Sequence, residues 1–159
     1  KIGVIGTRAT IESKIYTTEI HRSRPDIQVI GEACPLFVPL VEEGWITHPA
    51  TELIVKEYMK HLIEEDIDTL ILGCTHYPFL KDALQKIMGE NVTLIDSGHP
   101  TALELKHLLE KGDLLADEDT DPTYKFYVTN TPELSHHAAT IVFGNQFPTN
   151  PRKISLAGI

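Results

Sequence analysis

The residues best equipped for chemistry stand together in Gly73-Cys74-Thr75-His76-Tyr77-Pro78. A thiol serves as acid, base, nucleophile or metal ligand according to its surroundings. His76, two residues on, can exchange a proton with that thiol or pair with an anion. The Thr75 hydroxyl can donate to a carboxylate. Three other readings compete with proton transfer. A lone cysteine at a strand end is often a small buried hydrophobe. Cys74 and His76 could be half of a metal site, but a structural zinc needs four ligands and Cys34 is the only other thiol. Thiol plus imidazole is also the apparatus of cysteine hydrolases, although these place the histidine far away in sequence.

The surrounding elements are legible from apolar runs and breakers. Strands are expected at residues 2–5, 27–30, 69–72 and 92–95. Each is short and apolar, as in a parallel sheet covered on both faces. Helices are expected at residues 10–22, 36–44, 47–66, 78–88 and 101–110. Pro39 is tolerated only in a first turn, and Gly44 should end its helix. The alternation predicts an α/β fold, a parallel-sheet lobe with flanking helices. In such sheets ligands bind beyond the carboxyl ends of the strands, where Cys74 falls. A helix starting at Pro78 would turn free N–H groups towards an anion there.

Beyond Gly98 the composition changes. Residues 111–122 are acidic and read as a surface loop, 124–129 as a strand, 132–143 as a last helix, and 145–159 as irregular. His136 and His137, adjacent on that last helix, read as surface residues.

Composition narrows the function classes. The chain has 159 residues, 42% hydrophobic and 23% charged, as in a globular domain. A net charge of −9 with no Lys/Arg run argues against nucleic acid as a partner. No apolar stretch approaches the ~20 residues of a membrane span, and no signal peptide is evident. Two cysteines are too few for a disulfide framework and read as reduced thiols, consistent with a cytoplasmic location.

Three segments in order carry a resemblance. Gly73-Cys74-Thr75-His76-Tyr77-Pro78, after Asp68-Thr69-Leu70-Ile71-Leu72, resembles the second cysteine motif of the glutamate racemases. Gly3-Val4-Ile5-Gly6-Thr7-Arg8-Ala9-Thr10-Ile11 resembles the strand and threonine loop that open that family's second lobe. Ala33-Cys34-Pro35-Leu36-Phe37-Val38-Pro39-Leu40-Val41-Glu42-Glu43-Gly44 resembles its acidic-helix motif. The likeness covers residues 1–98 and weakens beyond. Family members have two similar α/β lobes facing across a cleft. The resemblance therefore implies a second lobe at residues 1–97 and, at 98–159, a crossover and C-terminal remnant of the first lobe. The family's first cysteine motif has no counterpart here. The start at Lys1-Ile2-Gly3, without an initiator Met, likewise reads as a C-terminal portion.

The same resemblance implies interconversion of L- and D-glutamate without cofactor or metal, one thiolate taking the Cα proton and the opposite thiol returning one. Cys74 matches the thiol of the second lobe, His76 its assistant, and Glu42 an acidic residue that poises the site. Thr75 and His76 match a substrate-binding pair, and Thr7 and Thr10 threonines of the cleft wall. Glu43 is the second choice for the acidic role, and Cys34 reads as a packed core thiol. Related aspartate racemases share Gly-Cys-Thr but tend to carry an acidic residue at the position of His76, so His-Tyr-Pro favours glutamate. The implied partners are a small-molecule substrate, the absent lobe and, in some assemblies, a second copy in a homodimer. The implied role is D-glutamate for peptidoglycan. An aspartate or other amino-acid racemase, or a non-catalytic binding module on the same lobe, is the alternative, and this chain alone is expected to be inactive.

Overall fold

The structure, a computed structural model, describes residues 1–116, 120–121, 123–129, 140 and 152–155. Among these, β1 (Ile2–Gly6), β2 (Val29–Ala33), β3 (Thr69–Leu72) and β4 (Thr93–Asp96) form one parallel sheet in the order β2-β1-β3-β4. Gly6 lies opposite Ala33, Ile5 opposite Leu72, and Leu72 opposite Asp96, so the carboxyl ends of the strands share one edge. Helices α1 (Arg8–Glu12), α2 (Ile15–Ser23), α3 (Phe37–Glu42), α4 (Pro49–Glu64), α5 (Lys81–Met88) and α6 (Gly98–Lys111) intervene.

Alternation along β1 divides the packing. Ile5 belongs to a core made with Phe37 and Val41 of α3, Val55, Met59 and Leu62 of α4, and Leu84 of α5. Val4 turns to the other face, beside Ile11 and Tyr16. Val55, Met59 and Leu62 are fully buried at i, i+4 and i+7 of α4, each burial worth roughly 1.5–3 kcal/mol. That stripe anchors the helix, whose first turn has Pro49 in place and the ring of His48 accepting from the Ala50 N–H at 3.1 Å.

The four expected strands are present, β2 two residues later than its apolar run suggested. The helix expected over residues 10–22 is two helices. Lys14 between them adopts φ +53°, and the Ser13 hydroxyl donates to the Thr10 carbonyl while accepting from the Ile15 N–H. A serine that serves local backbone groups in this way competes with the helix ladder. The helix expected from Thr101 starts at Gly98 instead, and none of its residues is buried. The strand expected over residues 124–129 is reduced to β5 (Tyr127–Val128). It pairs in parallel with β6 (Arg152–Lys153), a short strand inside the stretch expected to be irregular. The helix expected over 132–143, with His136 and His137, lies outside the described residues.

Candidate active site at the carboxyl edge of the sheet

Cys74 is delivered to the sheet edge by β3 and Gly73. The Gly73 N–H donates to the Ile5 carbonyl at 2.8 Å. A Cβ on Gly73 would stand 2.8 Å from that same oxygen and 3.1 Å from the Tyr16 ring. Only glycine lets the chain leave β3 so close against β1. The next residues do not enter an α-helix directly. Tyr77 N–H donates to the Cys74 carbonyl at 3.1 Å and Phe79 N–H to the His76 carbonyl at 3.2 Å, making a 3₁₀ turn over Tyr77–Leu80. The α-helix begins only at Lys81. A 3₁₀ turn therefore stands where the helix was expected to begin beside Cys74.

This turn sets a chain of polar contacts. The Cys74 Sγ lies 3.9 Å from His76 Nδ1, and Thr75 Oγ1 lies 3.4 Å from the same nitrogen. On its far side, His76 Nε2 meets Glu42 Oε1 at 3.2 Å. Glu42 is the last residue of α3, which ends in a Schellman motif. Trp45 N–H bonds the Leu40 carbonyl and Gly44 N–H the Val41 carbonyl, with Gly44 at φ +71°. The cap places Glu42 towards His76, whereas Glu43 borders a shallow apolar hollow with Leu36, Pro39 and Trp45. Of the two adjacent carboxylates, Glu42 is therefore the one that meets the imidazole.

Thr7 and Thr10 occupy the turn after β1. Their hydroxyls bond each other at 2.9 Å, and Thr7 caps α1 by accepting from the Thr10 N–H at 3.3 Å. Since Gly6 and Gly73 follow paired positions of β1 and β3, Thr7 and Cys74 emerge on the same edge. Cys34, at the end of β2, is fully buried, and burial pushes its thiol well above the ordinary range.

Two further groups escaped the sequence reading. Asp96, ending β4, accepts from Lys81 Nζ at 2.7 Å and from the Gly98 N–H at 2.9 Å. The Lys81 hydrogen bond, then the Gly98 N–H, holds its carboxyl below the usual carboxylate range. An aspartate two residues before a glycine that opens a helix was a usable capping signal. Tyr77 is the other: its buried hydroxyl donates to the Cys34 carbonyl at 2.9 Å. No local pattern announces a partner 43 residues away.

Taken together, a parallel sheet with thiol, imidazole, carboxylate and hydroxyls gathered at its carboxyl edge defines an α/β protein with a candidate ligand site there. A model of the Asp/Glu/Hydantoin racemase family matches residues 1–105, and the chain belongs to that family. It is 47% identical over 131 residues to a glutamate racemase of Syntrophus aciditrophicus, covering 82% of this chain and 48% of that protein. A glutamate racemase isoform from Bacillus anthracis superposes with a TM-score of 0.85 at 36% identity, over 98% of this chain and 57% of that one. A Francisella tularensis glutamate racemase solved in complex with D-glutamate gives a TM-score of 0.85 at 37% identity, over 99% of this chain and 59% of that one. The chain thus spans about half the length of the curated relatives it matches. No helix among the described residues is long and apolar enough to cross a membrane.

Proposed function

We propose that this chain forms one lobe of a glutamate racemase, in which Cys74 is the acid/base for one face of the substrate's Cα. The observation that carries the reading is the linked series Cys74, His76 and Glu42 at the mouth of the parallel sheet. The names of the relatives support glutamate as the substrate. Residues 1–97 constitute the lobe, and α6, which contributes nothing to its core, begins the segment that serves the opposite one.

Racemisation needs a base on one face of Cα and an acid on the other. The Cys74 thiolate removes the proton and becomes a thiol, while a thiol opposite gives up its own proton and becomes the thiolate. Reversal restores both. His76 exchanges the proton with Cys74, and Glu42 orients the imidazole. Thr75 together with the Thr7–Thr10 pair receives the substrate carboxylates. The carbanion-like state is supported by these fixed donors, without pyridoxal phosphate or metal. The opposite thiol belongs to the part of the relatives' length that this chain does not span. In the bacterial cytoplasm the product would be D-glutamate for peptidoglycan, and a homodimer is compatible with the reading.

The test uses a protein extended to the length of the relatives. It follows inversion and Cα deuterium uptake from each glutamate enantiomer, with and without Cys74→Ser. Racemisation lost in the variant, with the fold retained, is the expected result. A Ser variant at wild-type rate removes Cys74 from the mechanism, faster turnover of aspartate reassigns the substrate, and exchange of neither amino acid makes the lobe a binding module.

A further inference from the structure

We propose that Tyr77 is a positioning residue that holds Glu42 against His76, and so holds the imidazole beside Cys74. The inference rests on the assignment of Cys74 as the acid/base of the site.

Glu42 and His76 come from different elements and meet in solvent, their side chains 53% and 31% exposed. An exposed pair of this kind contributes little energy and cannot set its own geometry. The rigid connection lies underneath. Tyr77 follows His76 directly and is fully buried. Its hydroxyl donates to the Cys34 carbonyl at 2.9 Å, at the entry to α3. The ring meets Phe37, the first residue of α3, edge to face at 5.1 Å. Phe37 in turn meets Tyr58 of α4 edge to face at 5.2 Å. One side chain therefore ties the backbone of the Cys74–His76 turn to the helix that ends in Glu42. Burial raises the phenol's affinity for its proton, so the hydroxyl stays a donor.

The experiment reads the alkylation of Cys74 by iodoacetamide across pH in this chain, with buried Cys34 as the slow internal control. Four proteins form a cycle: wild type, Glu42→Gln, Tyr77→Phe and the double variant. Phenylalanine keeps the ring and loses only the hydroxyl. Glu42→Gln is expected to change the Cys74 rate by on the order of threefold to tenfold. Tyr77→Phe should reproduce that change, and adding Glu42→Gln to it should change the rate no further. A purely structural role would give multiplicative effects or a wild-type profile, and either result overturns the proposal. A silent Glu42→Gln removes the pair and the proposal with it. An intact cycle in a chain whose extended form does not racemise glutamate overturns the functional reading and leaves the positioning role standing. Should Tyr77→Phe fail to fold, Phe37→Leu, which keeps the hydroxyl bond and removes the ring contact, takes its place under the same criteria.

Discussion

At the residue scale, the two cysteines occupy opposite environments although both end strands of one sheet. Cys34 is sealed in the core, whereas Cys74 is partly open and within reach of an imidazole. Cys34→Ser should cost about 1–3 kcal/mol by placing a hydroxyl among apolar neighbours. Urea denaturation measures that loss, and turnover of the extended protein should survive it; selective loss of turnover at unchanged stability would show that the wrong thiol was assigned. Asp96 invites a pH experiment. Its carboxyl is held below its ordinary value, chiefly by Lys81. The contribution to stability is therefore complete above that ordinary value of 3.8 and is lost as pH falls through the lower folded value. Lys81 is 44% exposed, so Asp96→Asn should cost no more than about 1 kcal/mol. The gap from wild type should be widest near neutrality and close in acid, and a gap that grows in acid would contradict the pairing.

At the element scale, the site depends on how chains leave the sheet. Gly73→Ala places a methyl 2.8 Å from the Ile5 carbonyl, which is backbone and cannot swing aside. β1 and β3 must separate there, at a cost of about 2 kcal/mol or more, read as a lowered denaturation midpoint. An alanine variant of wild-type stability would mean that the two strands are not held so closely. Gly44 carries a different constraint, a φ of +71° in the cap that aims Glu42. Gly44→Ala should lose about 1 kcal/mol. In the extended protein it should lower kcat more than Cys34→Ser does, because it disturbs the helix end that faces His76. Gly44 was visible in the sequence as a helix end, and Gly73 as the residue before Cys74. That one serves a close approach and the other a left-handed cap follows only from what surrounds them.

At the scale of the whole molecule, one lobe presents one thiol to solvent. On the proposed reading, a proton taken from Cα by Cys74 can be returned only to the face it left. Purified free of host racemase and incubated in deuterated water, this chain should exchange the Cα proton of one glutamate enantiomer weakly and invert neither. On the proposed reading an opposite lobe would also exclude water and bind substrate, and without it stabilisation of the transition state is weaker. Optical rotation and deuterium uptake, followed together, separate exchange from inversion. Measurable inversion would place a second base within these residues and end the one-lobe reading. The exposed Leu103, Leu105 and Leu108 of α6 agree with a helix whose packing partner lies elsewhere.

What the amino-acid order determined by itself was the local grammar. Four apolar runs of strand length, Gly44 at a helix end, and a Cys-Thr-His series after a buried strand all act within a few residues. The likeness read over residues 1–98 rests on the same short-range signals, and the family model matches residues 1–105. Tertiary structure alone decided which groups meet. It brought Glu42, the first choice by resemblance, against His76, kept Cys34 buried as expected while leaving Cys74 partly open, and joined Tyr77 to the Cys34 carbonyl just beyond β2. It also opened the helix expected from Pro78 as a 3₁₀ turn, Tyr77–Leu80. Propensity and periodicity follow from steric preferences near each residue. Contacts between Glu42 and His76, or Tyr77 and Cys34, depend instead on strand order and on the depth to which each helix packs.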